Sequence, residues 1–525
     1  MKKINVLDVT LRDGGCVNNF NFGQQYMDEI ITAQEAAGVD IIEVGYLDEK
    51  NGSVSGRTQY INEQVIPKCI MSHKREHISY VAMMDYGKFD VRQLKPRDSK
   101  GIDGIRVAFH KKNYKDIVAV GENIMGKGYD LYIQPMITLR YSDLELLNLV
   151  EMVNSKLPNA KAFYIVDSFG EMRPNDMCRI LSLVDNNLNI DISLGFHSHN
   201  NLQMSYSNAI TLLQFQTMRD ILIDCSIMGM GKGAGNLNTE LLLEHLNLYY
   251  EKNYNIPPLL QVIDRVINQL HSEFYWGYAP QYYLSAIKQC TPSYASFFYS
   301  KHMLSIDQVG ELLDLISPEK RNSFDKKYAE LLYREYNGRQ VVDDSSTIKE
   351  LTKVLNGKRI ILVAPGKSLL RIKSNLQLWG KCDDTVIIGL NVDFEFEDYI
   401  VVTRREVYDK VALYGKKVIV PSNIADNKNN TVLNYNNWID KKAEVHDSSF
   451  VICMNLLKVC CVNKIMLAGF DGFSADINEN YFDPEMRHPV ASGEAKIRNE
   501  YYKNFILEMR KEGMNIEFIT ESLYE

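Results

Sequence analysis

The sequence lacks any paired-cysteine motif. Its nine cysteines form no CxxC pair and are scattered along the chain, at Cys16, Cys69, Cys178, Cys225, Cys290, Cys382, Cys453, Cys460 and Cys461. This spacing indicates neither a zinc ribbon nor a disulfide framework. The odd number also fits reduced thiols in an intracellular protein.

The chain also lacks an excess of positive charge and a long apolar run. Its 59 Lys and Arg residues stand against 67 Asp and Glu residues, so no broad basic field exists to hold a nucleic acid or an anionic membrane. No run approaches about 18 apolar residues. Polar residues interrupt the first stretch, MKKINVLDVTLRDGG, which therefore does not resemble a signal peptide. We expect a cytoplasmic protein with no nucleic-acid or membrane partner.

What the sequence does have is length and a regular alternation of elements. Its 525 residues exceed the roughly 250–300 at which single cores stop growing, so we expect two folded units. The predicted strands of the first unit are Ile4–Leu11, Ile41–Tyr46, Ile78–Met84, Ile105–Ala108, Leu131–Thr138, Phe163–Val166, Ile192–Phe196 and Ile221–Cys225. Eight such units predict a (β/α)₈ (TIM) barrel over residues 1–240, although a doubly wound open sheet would give the same alternation.

The rest of the chain divides into three predicted parts. Residues 241–340 are helical and aromatic and are expected to pack on the barrel as an extension, and the polar residues 341–357 are expected to form a linker. Residues 358–525 are expected to form a second, Rossmann-like α/β domain. Its predicted strands are Arg359–Ala364, Thr385–Leu390, Asp398–Thr403, Lys417–Val420, Lys464–Ala468 and Asn515–Thr520.

Three short motifs stand at strand ends of the first unit: TLRDGG at 10–15, FHSHNN at 196–201 and GMGKGAGN at 229–236. Residues two apart in a strand point to one side, so His197 and His199 aim at the same place. With the carboxylate of Asp13 they would form an N,N,O set suited to a divalent ion. An isolated HxH pair could equally be two separately bonded histidines. Strict alternation would also send Arg12 and Asp13 to opposite faces unless the chain already turns there.

Taken together and in this order, the motifs resemble those of the DRE-TIM metallolyases (HMGL-like), and most closely their 4-hydroxy-2-oxovalerate aldolase branch. The resemblance covers about residues 1–290 and favours the barrel over the open sheet. It implies a Mn²⁺ or Mg²⁺ ion, with Zn²⁺ as an alternative, held by Asp13, His197, His199 and Asn236. It also implies that Arg12 faces an enolate oxygen and that Glu43 interacts with this arginine. The implied substrates are a 2-oxo acid and an aldehyde, and we expect a homo-oligomer.

The sequence departs from the aldolases at Cys16, where they carry an acid–base histidine. A thiol with a pKa of about 8.5 is a poorer proton shuttle near neutrality. The remaining candidates for the acid–base group are Cys16 itself, His110, Tyr46 and Tyr141. Arg106, Arg140 and Asp167 are the candidate substrate-binding residues.

The second domain begins with a strand, a tight turn and a helix start, RIILVAPGKSLL. It weakly resembles Rossmann-like domains of the 6-hydroxymethylpterin diphosphokinase-like and sialyltransferase-like kinds, which implies a nucleotide or nucleotide sugar as ligand. The candidate contacts are Gly366, Lys367, Ser368, Asn391 and Asp471, and His488 is a candidate transferase base. A packing or oligomerisation domain would need the same turn residues.

Three functions remain open from the sequence. The first is a metal-dependent aldolase or lyase that makes or breaks a carbon–carbon bond through a pyruvate-type enolate, with the second domain coupled to it. The second is an acyl-CoA-dependent Claisen condensing enzyme of the same fold. The third is a nucleotide-sugar transferase that uses the barrel as a scaffold.

Overall fold

The structure is a computed structural model that describes residues 2–52, 56–66, 77–301, 303–394, 396–412, 415–426, 431–441, 446–474, 479–483 and 492–525. The chain divides into two compact units, Met1–Ser293 and Tyr294–Glu525. The sequence placed this boundary in residues 341–357 and assigned the helices before it to the barrel. In the structure, the helices of residues 294–340 group with the second unit instead. No helix in the described ranges combines the length and apolar character of a membrane span.

The first unit is a closed parallel barrel. Its strands are β1 (Ile4–Asp8), β2 (Ile41–Leu47), β3 (Gln59–Tyr60), β4 (Ser79–Asp85), β5 (Gly104–Phe109), β6 (Asp130–Pro135), β7 (Ala162–Asp167), β8 (Ser193–Ser198) and β9 (Ile221–Cys225). They pair in the order β1-β9-β8-β7-β6-β5-β4-β2, the pairing of β1 with β2 closes the ring, and β3 adds to β2 outside it. The predicted barrel is therefore confirmed.

The longer helices of the first unit are amphipathic, with apolar residues buried on one face. They are α1 (Gln24–Ala37), α2 (Ile117–Gly126), α3 (Asp143–Lys156), α4 (Pro174–Asn187), α5 (Ser205–Gln214), α6 (Thr239–Tyr249), α7 (Pro257–Val262), α8 (Asn268–Glu273) and α9 (Pro280–Ile287). In α3 a capping box of Ser142 and Glu145 fixes the start, and Leu149 and Val153 are among its buried residues.

The second unit is built on a second, fully parallel sheet. Its strands are β10 (Arg359–Val363), β11 (Thr385–Leu390), β12 (Tyr399–Val401), β13 (Val418–Pro421), β14 (Thr431–Leu433), β15 (Lys464–Ala468) and β16 (Asn515–Phe518). Their order is β14-β13-β12-β11-β10-β15-β16. The α/β class predicted for this part is confirmed. The sequence missed β14 and, in the first unit, β3.

The helices of the second unit are α10 (Pro292–Ser300, which begins at the boundary), α11 (Ile306–Asp314), α12 (Lys326–Asn337), α13 (Ser345–Leu355), α14 (Lys373–Trp379), α15 (Arg405–Ala412), α16 (Tyr435–Trp438), α17 (Ser449–Val459) and α18 (Ser492–Lys511). The predicted linker at 341–357 is wrong, since most of it is helix α13. Leu351 and Leu355 are buried there, one helical turn apart.

Candidate metal centre

The turn after β1 brings Arg12 and Asp13 to one place. The strand ends at Asp8 rather than at the predicted Leu11, and the carbonyl oxygen of Val9 accepts from the amides of Arg12 at 3.1 Å and Asp13 at 2.8 Å. Thr10 Oγ1 accepts from the amide of Ile227 at 2.8 Å, which ties this turn to the segment after β9. Strand alternation therefore no longer applies to Arg12 and Asp13.

Asp13, His197 and His199 converge. Each offers one ligand atom, and these atoms lie within 4.8 Å of one another. His197 lies on β8 and His199 directly after it, and their rings are perpendicular with centroids 5.4 Å apart. Both histidines and the carboxylate come from strand ends of the barrel, where barrel enzymes place functional groups.

Two buried atoms beside this triad have no hydrogen-bond partner among the described residues: His199 Nδ1 and Asn236 Oδ1. The side-chain amide of Asn236 donates to Asp13 Oδ2 at 2.8 Å, and an isolated backbone bridge pairs Asn236 with His199. Unpaired buried polar atoms are costly and call for an explanation such as an ion. The set of two imidazole nitrogens with carboxylate and amide oxygens fits a divalent cation.

The electrostatics of the triad suit metal binding. Burial alone would raise the pKa of Asp13, but the Arg12 guanidinium and the two imidazoles hold it below its ordinary value. Burial lowers the pKa of His199 to about 4, against the opposing pull of the Asp13 carboxylate. At neutral pH the site therefore presents a carboxylate and a neutral imidazole, the forms that ligate metal ions.

A chain of buried ion pairs crosses the barrel interior. Arg12 Nε donates to Glu43 Oε2 at 2.6 Å, and the other Glu43 oxygen lies 2.9 Å from Arg106. Arg106 also pairs with Asp224, and Asp224 Oδ2 lies 2.9 Å from His197 Nδ1. Arg106 is fully buried and bound to the protein's own carboxylates, which corrects its prediction as a substrate-binding residue. The chain instead fixes Arg12 at one end and His197 at the other.

Sequence reasoning missed Asp224. Its signal is the one that identified Glu43, an ionisable residue inside an otherwise apolar strand, here ILIDC. Such a residue is seldom buried without a partner.

The other two predicted substrate-binding residues also have partners within the protein. Arg140 forms a two-pronged pair with Glu171, at 2.7 and 2.9 Å. Asp167 accepts from the backbone amides of Glu171 at 3.0 Å and Met172 at 3.1 Å, and burial raises its pKa to about 7. Both residues therefore organise the loop after β7, which corrects their predicted role.

The acid–base candidates differ in their surroundings. Tyr46 hydrogen-bonds to Asp85 at the end of β4, and this carboxylate also interacts with His110 and Arg12. Burial lowers the pKa of the half-buried His110, while Asp85 opposes the shift. Asp85 is a further residue that the sequence did not single out.

Cys16 and Tyr141, like Tyr46, have raised pKa values. Cys16 is exposed by surface area, yet the protein atoms around the thiol desolvate it and, with Asp13, raise its pKa to about 12. Tyr141 is buried, which raises its pKa, and its hydroxyl has no hydrogen-bond partner in the described ranges. Neither side chain is ionised near neutrality, so neither offers a ready base.

The loop after β9 depends on its glycines. Gly229, Gly233 and Gly235 have φ values of 61°, 70° and 83°, which side chains rarely adopt. A Cβ on Gly235 would lie 2.1 Å from the Gly229 carbonyl oxygen. The loop can therefore fold tightly enough to deliver Asn236 to Asp13.

In the second unit, the predicted phosphate contacts bind mainly to one another. Asp471 accepts from the Ser368 amide at 2.8 Å and from the Ser368 hydroxyl, and Lys367 pairs with Glu479 at 2.9 Å. A Cβ on Gly366 would lie 2.3 Å from the Gly469 carbonyl oxygen, so this glycine allows two loops to pack.

Asn391 is occupied in the same way. Its amide donates to Thr403 at 3.1 Å and Ser449 at 3.0 Å, and its oxygen accepts from the Thr403 amide at 2.8 Å. These contacts hold the loops at the ends of the strands and correct the prediction of direct phosphate ligands. His488 lies outside the described residues.

Comparisons with known proteins match the first half of the chain. Residues 3–266 match the family model described as HMGL-like. The chain is 31% identical over 247 residues to 4-hydroxy-2-oxovalerate aldolase 2 of Comamonas testosteroni, a match that covers 46% of this chain and 68% of the relative. It is 30% identical over 243 residues to 4-hydroxy-2-oxovalerate aldolase of Pseudoalteromonas translucida (strain TAC 125), with the same coverage of 46% and 68%.

Among solved structures, the N-terminal domain of a putative aldolase from Bacteroides vulgatus is 26% identical with a TM-score of 0.48, over 56% of this chain and 96% of that one. The family model spans half of the present chain and includes every residue of the metal triad. The chain therefore belongs to the HMGL-like family, the DRE-TIM metallolyases.

Proposed function

We propose that this protein is a divalent-metal-dependent aldolase that makes or cleaves a carbon–carbon bond through a pyruvate-type enolate, with 4-hydroxy-2-oxo acids as its substrate class. One observation carries the proposal. The guanidinium nitrogen Nη2 of Arg12 is buried beside the metal triad and has no hydrogen-bond partner among the described residues. Such a donor suits an oxygen that becomes negatively charged during the reaction.

Asp13, His197, His199 and Asn236 are the residues that would hold the metal. The donor set fits a divalent cation, and the resemblance of the motifs to the aldolases implies Mn²⁺ or Mg²⁺, with Zn²⁺ as an alternative. Bound there, the ion would act as a Lewis acid on the carboxylate and carbonyl oxygens of a 2-oxo acid.

Arg12 is proposed to stabilise the enolate oxygen. Glu43 accepts from its Nε and Asp13 from its Nη1, each at 2.6 Å, so the remaining nitrogen, Nη2, is fixed in direction before the substrate binds. A preorganised donor of this kind typically contributes about 3–4 kcal/mol to lowering the barrier.

His110 is proposed to exchange the proton of the substrate's 4-hydroxyl. Its lowered pKa keeps the imidazole neutral and able to accept a proton, and the neighbouring Asp85 carboxylate can stabilise the imidazolium that results. This assignment gives the protein an acid–base group in place of the histidine that Cys16 replaces.

The test is exchange of the methyl protons of pyruvate in D₂O, followed by NMR with the full chain. We expect a chelator to abolish exchange, Mn²⁺ to restore it, and Asp13→Asn to prevent that restoration. Pyruvate proton exchange that persists after chelation and in Asp13→Asn would contradict the proposal. Release of thiol from acetyl-CoA would favour the Claisen alternative instead, and tight nucleotide-sugar binding without metal would favour the scaffold alternative.

A further inference from the structure

The second sheet reverses its direction of growth at β10. Strands β10 to β14 are added one after another on one side, and the chain then crosses to the other side of β10 to form β15 and β16. In open parallel sheets, ligands bind beyond the carboxyl ends of the strands where the order reverses in this way. For the second unit, this position is the carboxyl end of β10 with its neighbours β11 and β15.

A cavity of about 570 Å³ lies at this position, wholly within the second unit. Its walls include the segments that follow β10, β11, β12 and β15, at Gly366, Asn391, Arg404 and Asp471. The contacts among Gly366, Gly469, Ser368 and Asp471 hold two of these segments in place. The volume falls within the usual range of small-molecule sites, roughly 300–1,000 Å³.

Cations from four different elements line the cavity. They are Lys301, Lys326, Arg404 and Arg498. Arg404 has no carboxylate partner within the described ranges, and its guanidinium donates to the Tyr481 hydroxyl at 3.5 Å. A guanidinium in a concave site is well suited to a carboxylate or phosphate.

The carboxylates of the cavity are bound to protein groups. Glu330 lies 2.9 Å from Lys301. Asp447 accepts from the hydroxyls of Tyr333 at 2.7 Å and Tyr435 at 2.9 Å. With Asp471 held by Ser368, the lining favours an anionic ligand over a cationic one.

The rest of the lining is rich in aromatic rings. The Arg404 guanidinium lies 5.9 Å from the centroid of the Tyr481 ring, and that of Arg498 lies 5.5 Å from the centroid of Phe473. The rings of His446 and Tyr501 stack with centroids 3.5 Å apart and planes inclined by 12°. A flat organic ring can stack on such surfaces while the arginines bind its charged groups.

We propose that this cavity binds a nucleoside phosphate, with its base against the aromatic wall and its phosphates on Arg404 and Arg498. The site is separate from the metal centre of the barrel and is independent of the proposed aldolase reaction. It gives the second unit a ligand of its own.

The experiment is calorimetric titration of the full chain with ATP, GTP, CTP and UTP, and with pyrophosphate and the four free nucleosides. We expect at least one nucleotide to bind saturably and at least about tenfold more tightly than pyrophosphate or its own nucleoside. Arg404→Gln and Arg498→Gln should each weaken it by at least about tenfold. The matched control is Arg359→Gln, the same change at the first residue of β10, at the end of the strand opposite the cavity.

The proposal would be overturned if none of the four nucleotides showed saturable binding at concentrations up to about 1 mM. Binding of pyrophosphate as tightly as the best nucleotide would also overturn it, as would wild-type affinity in both arginine variants. Melting curves identify a variant that does not fold. If one arginine variant is unfolded, the nucleotide affinity of the other variant tests the proposal. Pyruvate exchange should persist in Arg404→Gln. A failure of nucleotide binding can therefore be distinguished from a failure of the aldolase proposal.

Discussion

His197 Nδ1 lies 2.9 Å from Asp224 Oδ2 inside the barrel. A proton on Nδ1 bonded to this carboxylate leaves the lone pair of Nε2 free for a metal ion. Asp224→Asn should therefore lower metal affinity by about 10–100-fold, the usual effect of removing such a support. The measurement is a titration with Mn²⁺ at constant pH.

The matched control for that variant is Asp185→Asn. It breaks another ion pair of the first unit, between Asp185 and Arg219 at 2.7 Å. Neither of these residues is a proposed metal ligand. It should lower the melting temperature and leave metal affinity unchanged. Equal losses of metal affinity in the two variants would contradict a specific role for Asp224.

Arg12→Lys should retain the metal and lose turnover. Lysine preserves the charge but cannot donate to Glu43, Asp13 and a substrate oxygen from one rigid plane. We expect the exchange rate of pyruvate to fall by about 10²–10³-fold. Bound metal is measured on the same sample, and a full loss of metal would assign Arg12 to metal binding instead.

His110→Gln should slow aldol cleavage by about 10²–10⁴-fold, because glutamine keeps a polar side chain but cannot exchange a proton. The pH–rate profile should also lose its acidic limb. Tyr141→Phe is the comparison variant, since it removes a buried hydroxyl with no recorded partner in the described ranges. A normal rate in His110→Gln, with a slow one in Tyr141→Phe, would transfer the role to Tyr141.

Gly231→Ala should damage the metal centre through a single methyl group. Its Cβ would lie 2.4 Å from Asn236 Nδ2 and 2.8 Å from Asp13 Oδ2, closer than side chains pack. We expect weaker metal binding and slower exchange. The control is Gly126→Ala at the end of helix α2, where no atom lies within 4 Å of the added carbon. That variant should keep metal affinity and gain up to about 1 kcal/mol of stability.

Asp8 should make stability depend on pH. Burial raises the pKa of Asp8 to about 6, against hydrogen bonds from Thr10, Thr239 and Gln34 that favour the carboxylate. The folded protein thus binds this proton more tightly than the unfolded chain, and the stabilisation is lost as pH rises from about 4 through about 6. The loss is on the order of 3 kcal/mol.

The readout is the melting-temperature difference between wild type and Asp8→Asn across that range. As pH rises, the melting temperature of Asp8→Asn should increase relative to that of the wild type. Asp90→Asn should move the opposite way and at lower pH, below about 4, because a hydrogen bond from Arg92 lowers the pKa of Asp90 from its ordinary value. A flat difference for Asp8→Asn would contradict the raised pKa.

The eight barrel strands were predictable because each is a short apolar run of residues. The sequence also predicted that His197 and His199 point to the same side, because side chains alternate along a strand with a period of two residues. The turn at Val9 was not predictable, because it depends on one carbonyl that accepts several amides. Without that turn, the sequence could not place Arg12 and Asp13 on the same side.

The predictions that failed concern charged residues whose partners are distant in sequence. Arg106 meets Glu43 and Asp224, which lie on other strands, and Arg140 meets Glu171 from the next loop. Sequence alone marks an arginine as able to bind an anion. Only the fold decides whether that anion is a substrate or a carboxylate of the protein.

The buried ion-pair chain also bears on which substrates the barrel can select. Asp13, Glu43 and Asp224 carry three negative charges, and Arg12 and Arg106 two positive ones, so the linked group carries a charge of −1. A divalent ion changes this sum to +1, which a substrate with a single carboxylate neutralises. A dicarboxylate or phosphorylated substrate would leave uncompensated negative charge among buried groups, at a large desolvation cost. For the proposed reaction we therefore expect the barrel to select its substrate by charge as well as by shape, whatever the net charge of −8 on the whole chain.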